Sequence, residues 1–473
     1  MDRRINRRNV VKSLGAGSVI ALAGCSGDGG DGGDGGSDGG DGSSGGDGGS
    51  GGDGGSDGGD GGSTGGDGGD NPIKVGTNYP LSGGLALNGI DATRGVELAV
   101  EQINNNGGID GRQIELFKKD ATDSDAGVSN VESLATSEEV DIIMGSFSSS
   151  IAQASAQAAA RYDQLYWETT GFSPQISEPG YQHLYHCNTR TTQYGERGGE
   201  IIDTVVAPEL DKTTDELRIG IMYENGVFGT ATDQIVKDQA SDYGYNVVES
   251  IGYPPFQTSD LSSSIERMKQ ANIDILYHSG YNADTNLLWQ QAADLDLYVP
   301  AVVGNGTAYV VQSFVEAVGQ QTALGIINVD QPHYNVSPDF APGMEDILTA
   351  YRDRYGENPV TQLPATAFSC AQMFQQVASE ADSFGLDDFE EAALSVSESL
   401  GTYANGWGLS FDDEFHRNQN VSVAGTQWQP DEFTDDLYHP EENPDRLDPY
   451  GVYPDDAAVG YTEINNIPRP DYT

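Results

Sequence analysis

The sequence predicts an α/β protein with two doubly wound lobes. From Ile73 onward, short apolar segments alternate with amphipathic segments at helical spacing, and Gly, Ser or Asn residues mark the turns between them. The alternation begins afresh near Leu217. Strands that are joined by crossover helices form parallel sheets covered on both faces. Two successive sets of such units therefore favour two lobes, each with its own sheet.

The first set supplies four strands and three helices. Apolar runs predict strands at residues 73–79, 113–118, 140–145 and 165–168. Helical spacing predicts helices at residues 92–105, 125–137 and 151–162. In the first of these helices one face carries only apolar side chains, namely Val96, Ala99, Val100 and Ile103.

The second set continues the alternation. Strands are predicted at residues 217–223, 246–251, 274–279 and 299–303, and helices at 230–243, 261–270 and 285–295. Two longer helices follow at 343–355 and 366–384, and then strands at 407–411 and 419–427, which would let the chain cross between the lobes more than once. Beyond Pro430 the Pro-, Asp- and Tyr-rich sequence has little periodicity and is interpreted as irregular surface structure.

The first 25 residues are interpreted as an export signal. Arginines precede a short apolar run that ends at Leu22, and the run is too short to span a bilayer. The segment from Arg7 to Lys12 resembles a twin-arginine (Tat) motif, and Leu22-Ala23-Gly24-Cys25 resembles a lipobox. We therefore expect cleavage before Cys25, lipid attachment to Cys25, and a mature protein anchored to the extracellular face of the membrane.

Residues 26–71 are predicted to be a disordered tether. Up to residue 70 this segment contains only Gly, Asp, Ser and one Thr, so it has no apolar side chain to bury. A flexible coil of this length spans roughly 35–40 Å. The folded part is thus expected to begin at residue 72.

The charge is extreme. The 473 residues include 74 acidic and 23 basic side chains, for a formal net charge of −51, and most of the excess lies after residue 71. Such a surface excludes passive binding to nucleic acid or to anionic membranes. We interpret it as the solubility device of a protein that works in concentrated salt, such as one from a haloarchaeon. An acidic face for cations or for a basic partner is the alternative.

The sequence of residues 72–473 lacks the common catalytic motifs. Residues 72–473 contain no GxSxG, HExxH, P-loop, GxGxxG, CxxC or EF-hand motif, and the six histidines are scattered. We therefore expect a protein that is not an enzyme and that holds no cofactor or metal. Cys187 and Cys370 could form one disulfide, although two cysteines make no disulfide framework.

Binding residues are expected in the loops that follow the strands, because ligands of open α/β sheets lie beyond the carboxyl ends of the strands. In the first lobe, residues 146–150 form a serine-rich loop before a helix, and residues 169–173 form a second loop. Hydroxyls and free backbone N–H groups at a helix start suit a carboxylate, and at least one serine is expected to cap the helix. The corresponding loops of the second lobe are residues 224–229, 280–282 and 304–307.

Four segments resemble the type I periplasmic binding proteins of ABC transporters, in the branched-chain amino acid class. They are IKVGTNYPLSGG at 73–84, INNNGGIDG at 103–111, DLSSSIERMKQANIDI at 260–275, and Gly280-Tyr281. The resemblance implies two lobes joined by a three-crossing hinge, with a ligand cleft between them, and delivery of the ligand to an ABC permease. It divides the chain into lobe 1 (72–190 plus 331–400), lobe 2 (191–330 plus 401–430) and an acidic C-terminal extension (431–473).

The resemblance also implies a set of ligand contacts. Those expected here are Asn88, Ser148, Ser149, Ser150, Thr170, Gly171, Phe172, Phe228, Tyr281 and Asn305. The acidic residue that pairs with the ammonium group of an amino acid is replaced here by Gly306. Either Glu168 or Glu224 takes that role, or the ligand is not an α-amino acid. Amides, urea and aromatic acids therefore stay open as ligands, and so does a sensor that signals instead of feeding a permease.

Overall fold

The computed structural model describes residues 71–430, 446–459, 464 and 466–469. The predicted signal segment, most of the tether and the start of the C-terminal extension lie outside these residues. Within them the chain forms two sheets with helices on their faces, as the sequence predicts. Among the described helices, none combines the length and the apolar character needed to cross a bilayer.

The first sheet has five parallel strands in the order β2-β1-β3-β4-β5. Its central strands are almost completely buried because helices cover both faces. The strands are β1 (Ile73–Tyr79), β2 (Ile114–Asp120), β3 (Ile142–Gly145), β4 (Leu165–Glu168) and β5 (Leu184–His186).

The second sheet has seven strands in the order β12-β11-β10-β9-β8-β6-β7. It is parallel except at one edge, where β11 and β12 are antiparallel. The strands are β6 (Arg218–Glu224), β7 (Asn246–Tyr253), β8 (Ile275–Ser279), β9 (Ala301–Asn305), β10 (Ile327–Asp330), β11 (Ala424–Pro430) and β12 (Leu447–Tyr453).

Thirteen helices lie within the described residues. They are α1 (Ala86–Asn105), α2 (Ser124–Ser133), α3 (Ser149–Ala159), α4 (Thr191–Ile201), α5 (Ala207–Glu209), α6 (Val227–Tyr243), α7 (Ser262–Ala271), α8 (Asn282–Asp294), α9 (Gln312–Val318), α10 (Gln320–Ala323), α11 (Met344–Tyr355), α12 (Leu363–Glu380) and α13 (Leu386–Ser395). Short 3-10 or π turns lie at Gly83–Leu85, Leu134–Glu138, Ala160–Tyr162, Pro174–Ile176, Ile202–Val206, Thr214–Glu216 and Thr307–Tyr309.

Within the described residues the chain passes between the two sheets three times. It leaves the first sheet after β5 and enters α4, which packs against α6 of the second lobe. It returns after β10 to α11, α12 and α13, where α12 packs against α1. The indole N–H of Trp167 on β4 donates to the carbonyl of Cys370 on α12 at 2.9 Å, which fixes α12 to the first sheet. The third passage leads to β11.

Several local predictions are wrong. The predicted strand at 407–411 is irregular and makes only isolated bridges. Trp407 is buried there, and its indole N–H donates to the carbonyl of Ser422. The segment beyond Pro430, interpreted as irregular surface, contains β12, whose side chains are mostly buried. The strand predicted at 419–427 begins at Ala424, and the one predicted at 299–303 begins at Ala301.

Sequence patterning does not predict α4, because three glycines interrupt it. In the structure those glycines allow close packing. A Cβ added to Gly195 would lie 1.7 Å from Cγ2 of Ile235, and one added to Gly198 would lie 2.7 Å from the hydroxyl of Tyr277. Tertiary contact therefore overrides the low helix propensity of glycine at these positions.

Cys187 and Cys370 are both free thiols, and both are buried. The thiol of Cys187 donates to the carbonyl of Glu168 at 2.8 Å. The disulfide that the sequence permits is therefore not formed in this structure.

Asp330, at the end of β10, joins the elements of two of the three passages. Its carboxylate accepts hydrogen bonds from the hydroxyl of Tyr194 on α4 at 3.1 Å, from the N–H of Gln331 at 2.8 Å, and from Nε2 of Gln362 before α12 at 2.6 Å. All four residues are buried. Burial raises the pKa of Asp330 to about 7, against the hydrogen bonds that lower it.

We predict that Asp330 makes the protein less stable as pH rises from about 4 to 7. The folded chain keeps the proton over this range while the unfolded chain releases it, so the free energy of unfolding falls by about 1.4 kcal/mol per pH unit from this group. Asp330→Asn removes this contribution. Urea denaturation at pH 5 and 7 should show that the wild type loses about 2–3 kcal/mol relative to the variant. An identical pH dependence in both proteins would contradict the assignment.

Candidate functional site

A cavity lies where the carboxyl ends of strands from both sheets face each other. Five strand-end segments line it, those that follow β3, β4, β6, β8 and β9. In this closed arrangement the free space between the lining residues is about 10 Å³, room for about one water molecule and far below the roughly 300–1,000 Å³ of small-molecule sites. The lining residues are Phe147, Ser148, Ser149, Thr170, Phe172, Phe228, Gly280, Tyr281, Gly306 and Thr307.

The lining is aromatic and hydroxylic, and no charged side chain belongs to it. Phe147 meets Tyr281 edge to face, with ring centroids 6.1 Å apart, and Phe172 meets Phe228 in the same way at 6.3 Å. In each pair one ring comes from the first lobe and the other from the second. The cavity therefore has apolar walls from both lobes and hydroxyls at one end.

The start of α3 forms the hydroxylic end. The helix begins at Ser149, two residues before the predicted start, so Ser149 and Ser150 lie in its first turn. The hydroxyl of Ser149 accepts hydrogen bonds from the N–H groups of Phe172 at 3.0 Å and Ser173 at 3.2 Å. Its own proton is the remaining donor of this group, and Ser149 lines the cavity.

The expected serine cap is wrong. Ser148 occupies the N-cap position of α3, but its side chain makes no capping hydrogen bond. The hydroxyl of Ser150 accepts instead from the N–H of Val227 across the cleft, at 3.4 Å. The first turn of α3 therefore has no side-chain cap. The positive end of the helix dipole can then interact with an anion, as it does at anion-binding helix starts.

Glu168 is completely buried and holds the two first-lobe loops together. Its carboxylate accepts from the N–H groups of Ser146 at 3.1 Å, Thr170 at 2.9 Å and Gly171 at 2.6 Å. Burial raises the pKa of Glu168 well above its usual value, and these hydrogen bonds oppose the shift. The carboxylate is therefore engaged by the protein and does not line the cavity.

Glu224 has the corresponding place in the second lobe. Its two oxygens accept from the N–H groups of Gly226 and Gly229, both at 2.6 Å. Burial raises the pKa of this carboxyl, while the two backbone hydrogen bonds lower it. Glu224 also lies outside the cavity lining. The role of either glutamate as an ammonium partner stays a prediction that the geometry does not favour.

Other expected contacts have different places. The hydroxyl of Thr170 donates to the carbonyl of Ser146 at 2.9 Å, while the residue itself lines the cavity. Gly171 lies behind the cavity, where its carbonyl accepts from Asn188 at 3.2 Å. Asn305 is the last residue of β9 and is buried outside the lining.

Asn88 makes a contact between the lobes. Its Nδ2 donates to the hydroxyl of Thr307 at 2.7 Å, from α1 to the loop after β9, and both residues are buried. Together with the hydrogen bond from Val227 to Ser150 and the two ring pairs, this contact holds the two lobes against each other, so the cleft is closed in this structure.

Four lining residues are not among the expected contacts, namely Phe147, Gly280, Gly306 and Thr307. All four lie in loops that the sequence places at strand ends. The strand-end rule identifies the loops, but the direction of each side chain depends on the backbone of the turn, which sequence spacing does not encode.

His278 is a buried residue of β8 that lies just before the cavity-lining residues Gly280 and Tyr281. Its Nε2 lies 2.9 Å from the hydroxyl of Tyr253, and its Nδ1 lies 2.6 Å from the hydroxyl of Tyr309. Burial lowers the pKa of His278 to about 3, so the ring is neutral. Across the described part of the chain, no three His, Cys, Asp or Glu side chains converge as a metal site would need.

The chain is similar in sequence to known binding proteins. Residues 72–431 match the family described as periplasmic binding protein. The Leu/Ile/Val-binding protein homolog 7 of Brucella abortus is 31% identical over 387 residues, which cover 82% of this chain and 92% of that protein.

Two solved structures share the fold. The branched-chain amino acid transporter substrate-binding protein LivJ from Streptococcus pneumoniae, in complex with isoleucine, has a TM-score of 0.65 and 20% identity, and the match covers 81% of this chain and all of that one. An ABC-transporter solute-binding protein from R. palustris, in complex with 4-hydroxybenzoate, has a TM-score of 0.67 and 15% identity over 85% of this chain and 98% of that one. The extent of the family match and the identity to the Brucella protein decide the assignment: this chain belongs to the periplasmic binding protein family.

Proposed function

We propose that this protein is the substrate-binding component of an ABC importer and that it captures a small carboxylate with an apolar body. The lobes close over the ligand, and the closed form delivers it to the permease. The observation that carries the proposal is the cavity between the lobes, which combines an uncapped helix start with aromatic walls.

The carboxylate is assigned to the start of α3. There the ligand would meet the hydroxyl proton of Ser149 and the positive end of the helix dipole. The rings of Phe147, Phe172, Phe228 and Tyr281 would then surround the apolar body. The space between these rings is only about 10 Å³ in the closed arrangement, so a ligand requires the lobes or the rings to stand further apart than they do in this structure.

An ammonium group has no carboxylate partner among the lining residues. The two nearby glutamates, Glu168 and Glu224, already accept backbone hydrogen bonds. A buried ammonium without a counter-charge is costly. We therefore favour acids without an amino group over α-amino acids, although relatives of this chain are named for leucine, isoleucine and valine and share its fold.

A matched ligand panel tests the proposal. The purified chain is heated in molar salt, which screens its net charge of −51, with leucine, isoleucine, 4-methylpentanoate, 4-hydroxybenzoate or urea. Leucine and 4-methylpentanoate share a carbon skeleton and differ by the amino group. A ligand at about 100 times its Kd should add roughly 2.7 kcal/mol of stability and raise the Tm.

We expect 4-methylpentanoate or 4-hydroxybenzoate to raise the Tm more than leucine does. A larger shift with leucine would mean that the protein supplies an ammonium partner and would contradict the ligand class. Urea is the neutral compound that the sequence leaves open as a ligand, and a rise in Tm with urea alone would contradict the carboxylate assignment. Silence with every compound would contradict the proposed function.

Two variants test the assignment of the cavity. Ser149→Ala removes a donor to the carboxylate, and such hydrogen bonds contribute about 1.5–3 kcal/mol, so the affinity for the bound acid should fall about 10- to 100-fold. Tyr281→Ala removes a wall and should weaken binding at least about tenfold. Ser263→Ala, on an exposed face of α7, is the control. Calorimetric titration measures all three, and an unchanged Kd in both cavity variants would refute this site.

The anchor is a second part of the proposal. Lipid attachment at Cys25, after Tat export, would hold the folded part near its permease through the Gly/Asp/Ser tether, and tethering raises the effective concentration. The twin arginines, the lipobox and the polar segment behind them support this.

Cys25→Ser should release the protein from the membrane fraction. Without the thiol no lipid can be attached, and the apolar run before it is too short to span the bilayer. Immunoblots of membrane and soluble fractions, with detergent-phase partition, measure the change. Ser26→Ala, the neighbouring substitution, should stay with the membrane. Membrane retention of Cys25→Ser would refute the anchor.

A further inference from the structure

Phe256 is a large aromatic residue at the mouth of the cleft that burial does not explain. It is 44% exposed, on the loop that follows β7. Its ring stacks on the ring of Tyr281, with centroids 4.9 Å apart and 21° between the planes. Because Tyr281 lines the cavity and Phe256 does not, Phe256 covers the outer side of the cavity wall that Tyr281 forms.

The backbone of Phe256 is held in an unusual conformation. Its φ is +59°, in the left-handed region that bulky residues avoid. A carboxylate oxygen of Asp284 accepts its N–H at 3.1 Å. Asp284 is buried in the first turn of α8, three residues after Tyr281, so one segment positions both stacked rings. A strained residue that is exposed and specifically held points to a functional role.

The ring also reaches the other lobe. A Cβ added to Gly84 would lie 3.4 Å from Cδ1 of Phe256, so the ring packs beside Gly84 of the first lobe, in the space that a side chain would occupy. Gly84 lies in the short turn before α1, and two neighbours on α1 cross the cleft as well. Leu87 packs against the apolar cluster of the second lobe, and Asn88 donates to Thr307. The contact at Gly84 thus belongs to the closed arrangement of the lobes.

We propose that Phe256 is a latch that covers the cleft mouth and slows ligand release. The proposal rests on the proposed function and adds a residue that does not touch the ligand. Since Gly84 and Phe256 belong to different lobes, their contact is lost when the lobes separate. Contacts formed only in the closed state lower the rate of opening, and changes at an interface act mainly on dissociation.

The test compares three variants of the full chain with the wild type. Phe256→Ala removes the latch, and Phe256→Tyr keeps a ring of the same shape. Leu400→Ala removes another exposed apolar side chain, 55% exposed and outside the cavity lining, as a matched control. Dissociation and association rates are measured by stopped flow with 4-methylpentanoate and 4-hydroxybenzoate, and with leucine or isoleucine if only an amino acid binds. The Tm of each ligand-free variant monitors folding.

We expect Phe256→Ala to speed dissociation about tenfold, with little change in association rate or in the Tm of the ligand-free chain. Phe256→Tyr and Leu400→Ala should dissociate as the wild type does. A wild-type dissociation rate in Phe256→Ala would refute the latch while leaving the proposed function intact. If the wild type binds none of these compounds, the proposed function fails and the latch fails with it.

Discussion

The first-lobe wall of the cavity depends on one buried carboxylate. Glu168 collects three backbone N–H groups from the loops after β3 and β4, and this fixes the start of α3 beside Thr170 and Phe172. A buried acid is costly unless its oxygens are saturated with donors, and here the loops supply those donors. Without Glu168 the same N–H groups would be buried without partners. The loop conformation and the carboxylate therefore require each other.

The second lobe repeats this device with Glu224, which binds the N–H groups of Gly226 and Gly229 at the start of α6. Close packing explains the glycine at 229, since a Cβ there would lie 2.0 Å from the carbonyl oxygen of Glu224. Each lobe thus uses an acid at a strand end to shape a loop. These two acids therefore serve the scaffold, and the cavity is lined by hydroxyls and aromatic rings.

The sequence predicts the parts that follow from periodicity and from the strand-end rule. The two sheets, most helices and five of the loops come from these patterns. Ser149, Phe172 and Tyr281 line the cavity, and their contact with a ligand stays a prediction. Features that depend on tertiary packing cannot be predicted from periodicity or from the strand-end rule. From the sequence alone, the glycines of α4 would be expected to interrupt a helix. In the structure, the side chain of Ile235 occupies the space beside Gly195 where a Cβ would lie.

The edge strand β12 is a second element that sequence patterns do not predict. Its sequence, LDPYGVY, contains Pro and Gly, which lower the intrinsic preference for a strand. Pairing with β11 and burial against the lobe decide the outcome instead. The functions of Glu168 and Glu224 were also ambiguous at the level of sequence, because an acid after a strand can face a ligand or the backbone of its own loop. Only the distances to backbone N–H groups separate these cases.

Closure of the cleft has to overcome the charge of the protein. Each lobe carries acidic side chains, so bringing the lobes together is opposed by long-range repulsion that salt screens over about 3 Å at 1 M. The cross-cleft contacts described above are uncharged: an amide to a hydroxyl from Asn88 to Thr307, a backbone N–H to Ser150, ring pairs, and Phe256 against Gly84. Salt therefore weakens the repulsion between the lobes without weakening the contacts that hold them.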